Sequence, residues 1–272
     1  MPAIYTFIGA GNMGRALIGG LIAAGHPTAA IRIVEADAAA RAACHDAFGL
    51  ESSASLAAVR TDTDVIVLAV KPQQLHAVTA TLATSADERT LYLSIAAGIT
   101  TGQLTAWLGQ RCAIVRAMPN MPALIGAGAA ALYANRQVSP DQREQATQLL
   151  GAVGSALWLD DETLMDAVTA LSVSGPAYFF QFIEHLEAAG IELGLAPALA
   201  RSLALDTAYG SCRLARESAL SPAALRQQVT SPGGTTERAL ATLGEGDFSG
   251  LVSRALHAAQ ARAVELAQQA DR

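Results

Sequence analysis

The chain has 272 residues, with 18 Lys and Arg against 24 Asp and Glu and a formal net charge of −6. An acidic chain without a basic cluster lacks the Lys/Arg footprint that nucleic acid requires. With 51% hydrophobic and 15% charged residues it is not a disordered polymer, and its length suits one large domain or two ordinary ones.

In chain order, β-rich runs predict strands at residues 4–8, 31–34, 65–70, 91–95 and 114–116. Helix formers between them predict helices at 12–24, 38–48, 73–82 and 101–108. Strand and helix alternating at this interval imply a parallel sheet with helices on both faces. The run Val65-Ile66-Val67-Leu68-Ala69-Val70 is apolar throughout, as in a central strand buried on both sides. After residue 136 the pattern changes. Ser139 caps, and Pro140 opens, a polar helix ending near Gly151, and 156–159 reads as a last strand. From Asp160 onward the chain is nearly all helix former, in segments 160–172, 176–194, 197–217, 222–229 and 247–270. Ser174-Gly175-Pro176, Ala196-Pro197, Ser221-Pro222 and Ser231-Pro232-Gly233-Gly234 punctuate them. A boundary near Leu159 gives two domains, 1–159 and 160–272. The second is either a compact satellite or a surface that pairs with a second copy, and Ala, Leu and Val on successive helices favour the pair.

No membrane span is expected, because the charge-free stretches 90–110 and 117–135 are broken by Gly, Thr, Asn or Pro. The beginning of the chain has no signal-peptide pattern. Cys44, Cys112 and Cys212 are odd in number and far apart, which argues against disulfides and for the cytoplasm.

Five motifs carry chemistry. Gly9-Ala10-Gly11-Asn12-Met13-Gly14 lies between a predicted strand and a predicted helix. There Gly9 allows a tight turn, Gly11 lets a diphosphate approach the backbone, and Gly14 permits close packing of helix on strand. Glu35 and Asp37 follow the second strand, where a carboxylate binds the ribose of NAD and a nearby Arg favours the 2′-phosphate of NADP; the next Arg is Arg41, inside the following helix. Ala69-Val70-Lys71-Pro72 ends the central strand, at the sheet edge where ligands bind. Lys71 is the single lysine beside seventeen arginines, and it either faces a cofactor or caps the edge in solvent. Arg116-Ala117-Met118-Pro119-Asn120-Met121-Pro122 is a loop stiffened by two prolines, a rigid turn or a site. Val229 to Glu237 opens a helix whose hydroxyls and N–H groups form an anion site without a basic residue, or an ordinary cap at Thr235. The five histidines have no metal-ligand spacing, so no metal is expected.

In combination these residues are similar to those of the pyrroline-5-carboxylate reductase family. The matching pieces run in order from Phe7-Ile8 through the glycine loop, Ala69–Pro72, Ser94-Ile95-Ala96-Ala97-Gly98-Ile99 and Arg116–Asn120. They continue with Leu171-Ser172-Val173-Ser174-Gly175-Pro176-Ala177-Tyr178 and Ser231–Thr236. The resemblance implies an α/β fold, with an N-terminal Rossmann-like dinucleotide-binding domain and a C-terminal all-α dimerisation domain. It implies NADPH- or NADH-dependent reduction of the cyclic imine 1-pyrroline-5-carboxylate to proline, by a homodimer or a higher homo-oligomer of dimers. The resemblance lines the cofactor with Ala69, Val70, Lys71, Pro72, Ala96, Ala97 and Gly98, to which the motif readings add Gly9, Gly11, Asn12, Met13, Gly14, Glu35, Asp37 and Asn120 as expected cofactor residues. It places the substrate on Val229, Ser231, Gly234, Thr235 and Thr236 of the partner subunit, with Thr236 as the catalytic contact to the ring nitrogen. Three departures from the family pattern stand out: Met121 stands for a small Thr, Val173 for a Gly, and Asp37-Ala38 for the Asn-Arg pair that suits a 2′-phosphate. The alternative is another Rossmann-type imine or 3-hydroxyacid oxidoreductase. The latter would place a catalytic Lys on a C-terminal helix, where this chain has none.

Overall fold

A computed structural model describes residues 2–59 and 62–270. It divides into two compact units, one made of Met1–Ser174 with Ala259–Arg272 and the other of Gly175–Ala258. In the first, β1 (Tyr5–Ile8), β2 (Ile31–Val34), β3 (Ser52–Ser53), β4 (Val65–Leu68), β5 (Leu91–Ser94), β6 (Ala113–Met118), β7 (Gly128–Ala134) and β8 (Gly154–Trp158) form one sheet. The strand order is β3-β2-β1-β4-β5-β6-β7-β8. Helices α1 (Asn12–Ala23), α2 (Ala38–Phe48), α3 (Pro72–Leu82), α4 (Thr101–Leu108) and α5 (Pro140–Gly151) connect them.

All four residues of β1, β4 and β5 are buried, as strands covered on both faces must be. Each fully buried Leu, Ile, Val or Phe here contributes roughly 1.5–3 kcal/mol relative to its exposed state. Tyr5, Phe7, Leu17, Val67 and Leu93 build the core on one side, and Ile66, Leu75, Tyr92, Leu104 and Ile114 build it on the other. Burial pushes the Tyr5 and Tyr92 phenols up to about 12. Polar caps close the helices: Ser139 and Gln142 form a reciprocal box at α5, and Thr100 with Gln103 does the same at α4.

The register aligns Ile8 with Leu68, Leu68 with Ser94, and Ser94 with Arg116, so the carboxyl ends of β1, β4, β5 and β6 share one edge. From β1 the chain leaves toward β2 on one side, whereas β4, the other neighbour of β1, leads to β5 on the other. The β1–β4 seam is therefore the switch point at which doubly wound sheets bind ligands.

The sheet is not wholly parallel, contrary to expectation. β7 runs antiparallel to β6 because the link between them, 119–127, is a short 3-10 turn (Met121–Ile125) and not a crossover helix. Both β7 and the two-residue β3 lie outside the predicted strands. The helix expected over 160–172 is instead a 3-10 turn (Glu162–Leu164), α6 (Met165–Val168) and a π-turn (Thr169–Val173). In the π-turn Ser174 N–H donates to the Thr169 carbonyl at 3.0 Å, while the Ser172 carbonyl is drawn off by Asn120 Nδ2 at 3.1 Å. Val173 packs there beside Met118, Ala131 and Met165.

The second unit holds α7 (Gly175–Glu192), α8 (Pro197–Glu217), α9 (Pro222–Gln228), α10 (Thr235–Glu245) and the start of α11 (Phe248–Ala270). Pro at the first turn of α8 and α9 suits a position whose N–H is unpaired in any helix. These helices leave large apolar side chains in solvent, among them Phe179, Phe180, Leu199, Leu203, Tyr209 and Leu214. No helix among the described residues is long and apolar enough to cross a membrane.

Candidate active site

The glycine loop sits at the switch point, and each of its three glycines has a separate reason. Gly9 has φ +96°, and a β-carbon there would lie 2.6 Å from the Ala69 carbonyl oxygen. A β-carbon on Gly14 would lie 2.7 Å from the Gly9 carbonyl oxygen, so α1 closes on the loop only without one. A β-carbon on Gly11 would meet nothing within 4 Å, which leaves the backbone open to an approaching ligand. Gly11 is also the N-cap of α1 and has no side chain to cap the first N–H groups. An open glycine at an uncapped helix start fits a diphosphate, which takes backbone N–H groups and the positive end of the helix dipole. Asn12 is exposed with its Oδ1 accepting from Arg15 Nη2 at 2.9 Å, and Met13 packs partly against the core.

The end of β2 is arranged differently from a simple pair of solvent acids. Glu35 is half-buried and turns back on the loop: Oε2 accepts from Ala10 N–H at 2.6 Å and Oε1 from Asp37 N–H at 2.8 Å. Asp37 caps α2 by accepting from Ala40 N–H at 2.7 Å. Arg41 belongs to α2, yet its side chain folds back, and Nη1 donates to the Glu35 and Ala36 carbonyls at 2.9 and 2.7 Å. A guanidinium thus stands at the strand end where the sequence offers two carboxylates. Its position in the first turn of a helix after an acid-ended strand is the signal that marks it.

The other expected cofactor residues share this edge. Ala69 and Val70 are half-buried under the glycine loop, and exposed Lys71 is the N-cap of α3 with Pro72 at the first position. Ala96 is buried, with its N–H donating to Ser94 Oγ at 3.3 Å; Ala97 is exposed, and Gly98 has φ +77°. Asn120 is 8% exposed, and its amide is engaged within the protein. Nδ2 donates to Ser172 O at 3.1 Å and to Ser172 Oγ at 3.2 Å, and Oδ1 accepts from Ala129 N–H at 2.9 Å. Met121, one of the departures from the family pattern, is 60% exposed at the start of the 3-10 turn.

A group outside the expected set underlies this edge. Arg116 in β6 is 4% exposed and pairs through Nη1 with Glu162 Oε1 at 3.1 Å. Glu162 also accepts from Thr101 N–H at 2.8 Å and Thr101 Oγ1 at 2.6 Å, at the first residue of α4. A buried guanidinium needs such a partner, because removal of one member of a buried pair typically costs about 3–5 kcal/mol.

In the second unit, the Ser231–Thr236 loop joins α9 to α10. Gly233 has φ +72° and its N–H donates to Glu237 Oε2 at 2.7 Å, while Gly234 N–H donates to the Ser231 carbonyl at 3.0 Å. The helix begins at Thr235, with Gly234 as an N-cap that has no side chain to offer, so the Thr235 cap weighed from the sequence does not form. Val229 and Ser231 are exposed, and Thr236 is half-buried with a hydroxyl that makes no hydrogen bond among the described residues. This is again an uncapped helix start, with unpaired N–H groups for an anion.

Comparison with known proteins decides the family. Residues 162–266 match the model for pyrroline-5-carboxylate reductase dimerisation, and residues 4–98 match the model for NADP oxidoreductase, coenzyme F420-dependent. A pyrroline-5-carboxylate reductase of Pseudomonas aeruginosa is 51% identical over 97% of both chains. The chain belongs to the pyrroline-5-carboxylate reductase family. A solved pyrroline-5-carboxylate reductase from Coxiella burnetii superposes with TM-score 0.94 at 40% identity, covering 98% of this chain and 99% of that one. That of Plasmodium falciparum, solved with NADP bound, superposes with TM-score 0.85 at 28% identity over 97% and 98% of the two chains. As a member of this family the chain is an oxidoreductase of proline biosynthesis acting on the C=N bond of a cyclic imine. Its dimerisation segment makes it a homo-oligomer.

Proposed function

We propose that this reductase binds NADPH in preference to NADH on the edge formed by Gly9, Gly11, Asn12, Met13, Gly14, Ala69, Val70, Lys71, Pro72, Ala96, Ala97 and Gly98. Support comes above all from the uncapped start of α1 at Gly11, where a ligand meets backbone and not side chain. Glu35 and Asp37 border the ribose, but Glu35 spends both oxygens on backbone N–H groups. Arg41 supplies the cation for a 2′-phosphate. Asn120 contributes by holding the π-turn against β7. When bound, the nicotinamide cofactor supplies the hydride for the imine carbon.

The chain's own residues do the rest. Ser231, Gly234 and Thr235 hold the substrate carboxylate through backbone N–H groups and hydroxyls, Val229 contacts the ring, and the Thr236 hydroxyl hydrogen-bonds the ring nitrogen. The substrate nitrogen carries a proton from solution when its carbon accepts the hydride, and a hydroxyl positioned at that nitrogen orients the protonated imine. Orientation of two bound reactants contributes roughly 7–11 kcal/mol to such a reaction. We place the functional boundary near Leu159, giving domains 1–159 and 160–272. We place the protein in the cytoplasm, as a homodimer or a homo-oligomer of dimers.

The test is oxidation of NADPH and of NADH by the purified protein with pyrroline-5-carboxylate, together with Thr236→Ala. The reading requires NADPH to be the better cofactor, and Thr236→Ala to lower kcat by an amount equivalent to about 1–3 kcal/mol. NADH matching NADPH would remove the role of Arg41, and an unchanged kcat in Thr236→Ala would remove Thr236 from the chemistry.

A further inference from the structure

Glu162, the first residue of the dimerisation segment 162–266, and Ala267, the residue just past its end, meet the same short stretch of the first unit. At one end, Glu162 takes three hydrogen bonds: Thr101 N–H, Thr101 Oγ1, and the buried Arg116. At the other, Ala267 of α11 lies against Gly98, where a β-carbon would fall 3.4 Å from the Ala267 Cα, 3.6 Å from its N and 3.9 Å from its Cβ. The intervening residues, Gly98 to Thr101, carry the Ala96-Ala97-Gly98 turn of β5 into the first turn of α4. Gly98 has φ +77°, and the backbone there passes close to a helix whose own facing residue is alanine, so two small residues set the spacing. The turn is therefore held from both sides by residues that bracket the segment through which subunits associate.

We propose that Glu162 and Ala267 are positioning residues for the cofactor-side turn, and that through them subunit association and cofactor binding are thermodynamically coupled. The proposal rests on the reading that Ala96 to Gly98 line the cofactor. A segment fixed by a partner subunit fixes both of its ends, and both ends set the position of one turn. Linkage then makes the effect reciprocal, so cofactor binding favours association by the same factor by which association favours cofactor binding.

The experiment uses the full-length protein as Ala267→Leu, Ala267→Ser, Glu162→Gln and wild type. NADPH binding is measured by calorimetry, steady-state kinetics are recorded with pyrroline-5-carboxylate, and the association constant is measured by sedimentation with and without NADPH. A leucine presses on the Gly98 turn and a serine does not. Ala267→Leu and Glu162→Gln are expected to weaken NADPH about fivefold or more, with Ala267→Ser within about twofold of wild type. The KM for pyrroline-5-carboxylate at saturating NADPH should stay within about twofold, a split that general loss of structure would not give. NADPH should tighten association of the wild type about fivefold, and this gain should shrink in Ala267→Leu. If Ala267→Leu does not fold, Ala267→Val and Glu162→Gln serve the same comparison. Unchanged NADPH affinity in the folded variants, or association indifferent to NADPH in the wild type, would overturn the coupling alone. Absence of any nicotinamide-cofactor binding by the wild type would overturn the cofactor reading and the coupling with it.

Discussion

The sheet unit and the helical unit solve the burial problem in opposite ways. In the first, Tyr5, Phe7, Leu17, Val67 and Leu93 are covered by the chain's own helices, and its buried guanidinium is paired. In the second, Phe179, Phe180, Leu199, Leu203 and Tyr209 stand in solvent on successive helices, a density of large apolar residues that a folded monomer does not leave uncovered. The difference teaches where each kind of information lies. Self-sufficient burial fixes a nucleotide-binding floor, whereas incomplete burial, in a chain that matches a dimerisation model over 162–266, belongs to a surface finished by another subunit.

The sharpest way to break this contrast is to charge the uncovered face. Replacement of Phe180 and Leu203 together by Asp should dissociate the homo-oligomer and remove roughly 3–6 kcal/mol of association, from about 1.5–3 kcal/mol per apolar side chain. Sedimentation equilibrium reads the outcome directly, and an unchanged mass would show that these residues are not covered by the partner. On the self-sufficient side, Gly14→Val sets a β-carbon 2.7 Å from the Gly9 carbonyl oxygen and pushes α1 from the loop. Overpacking of this kind costs about 1–3 kcal/mol. NADPH titration should show affinity falling with it, while the oligomer stays intact; retained affinity would mean that the helix start does not hold the diphosphate. The most selective effect, confined to one cofactor, is expected at Arg41. Arg41→Ala should raise the KM for NADPH by an amount equivalent to about 1.5–3 kcal/mol, the range for a hydrogen bond to a charged group. The KM for NADH should change little, and equal losses with both cofactors would assign Arg41 a structural role at the end of β2.

The self-sufficient half was also the more legible. Glycine spacing between a strand and a helix has few meanings, so residues 9–14 were placed from chemistry alone. The unbroken apolar run beginning at Val65 likewise marked the central strand. β7 escaped because Gly128-Ala129-Ala130-Ala131 carries little β propensity, and its strand is made by pairing with β6 and β8. The π-turn escaped for a similar reason: its Ser172 carbonyl is held by Asn120, which is 52 residues away in sequence. Residue positions also could not reveal side-chain direction. Glu35 points into the loop and Arg41 folds back over the strand end, which sets a guanidinium beside the carboxylates beyond β2. The Ser231–Thr236 loop was readable as a helix start, but its task was supplied by family resemblance, since an uncapped N-terminus by itself does not name its anion.

The seating of Ala267 on Gly98 also orders events in time. The sheet unit is discontinuous in sequence: most of it is made first, and its remaining piece, Ala259–Arg272, comes only after the helical unit. A contact across this separation closes a very long loop, and the entropy of closure is reduced once the intervening helices are compact. During synthesis, strands β1 to β8 are therefore all made before the helix that backs the turn at Gly98. The turn at Gly98 thus lies among the residues made early and meets its backing only once the last helix of the same chain has been made.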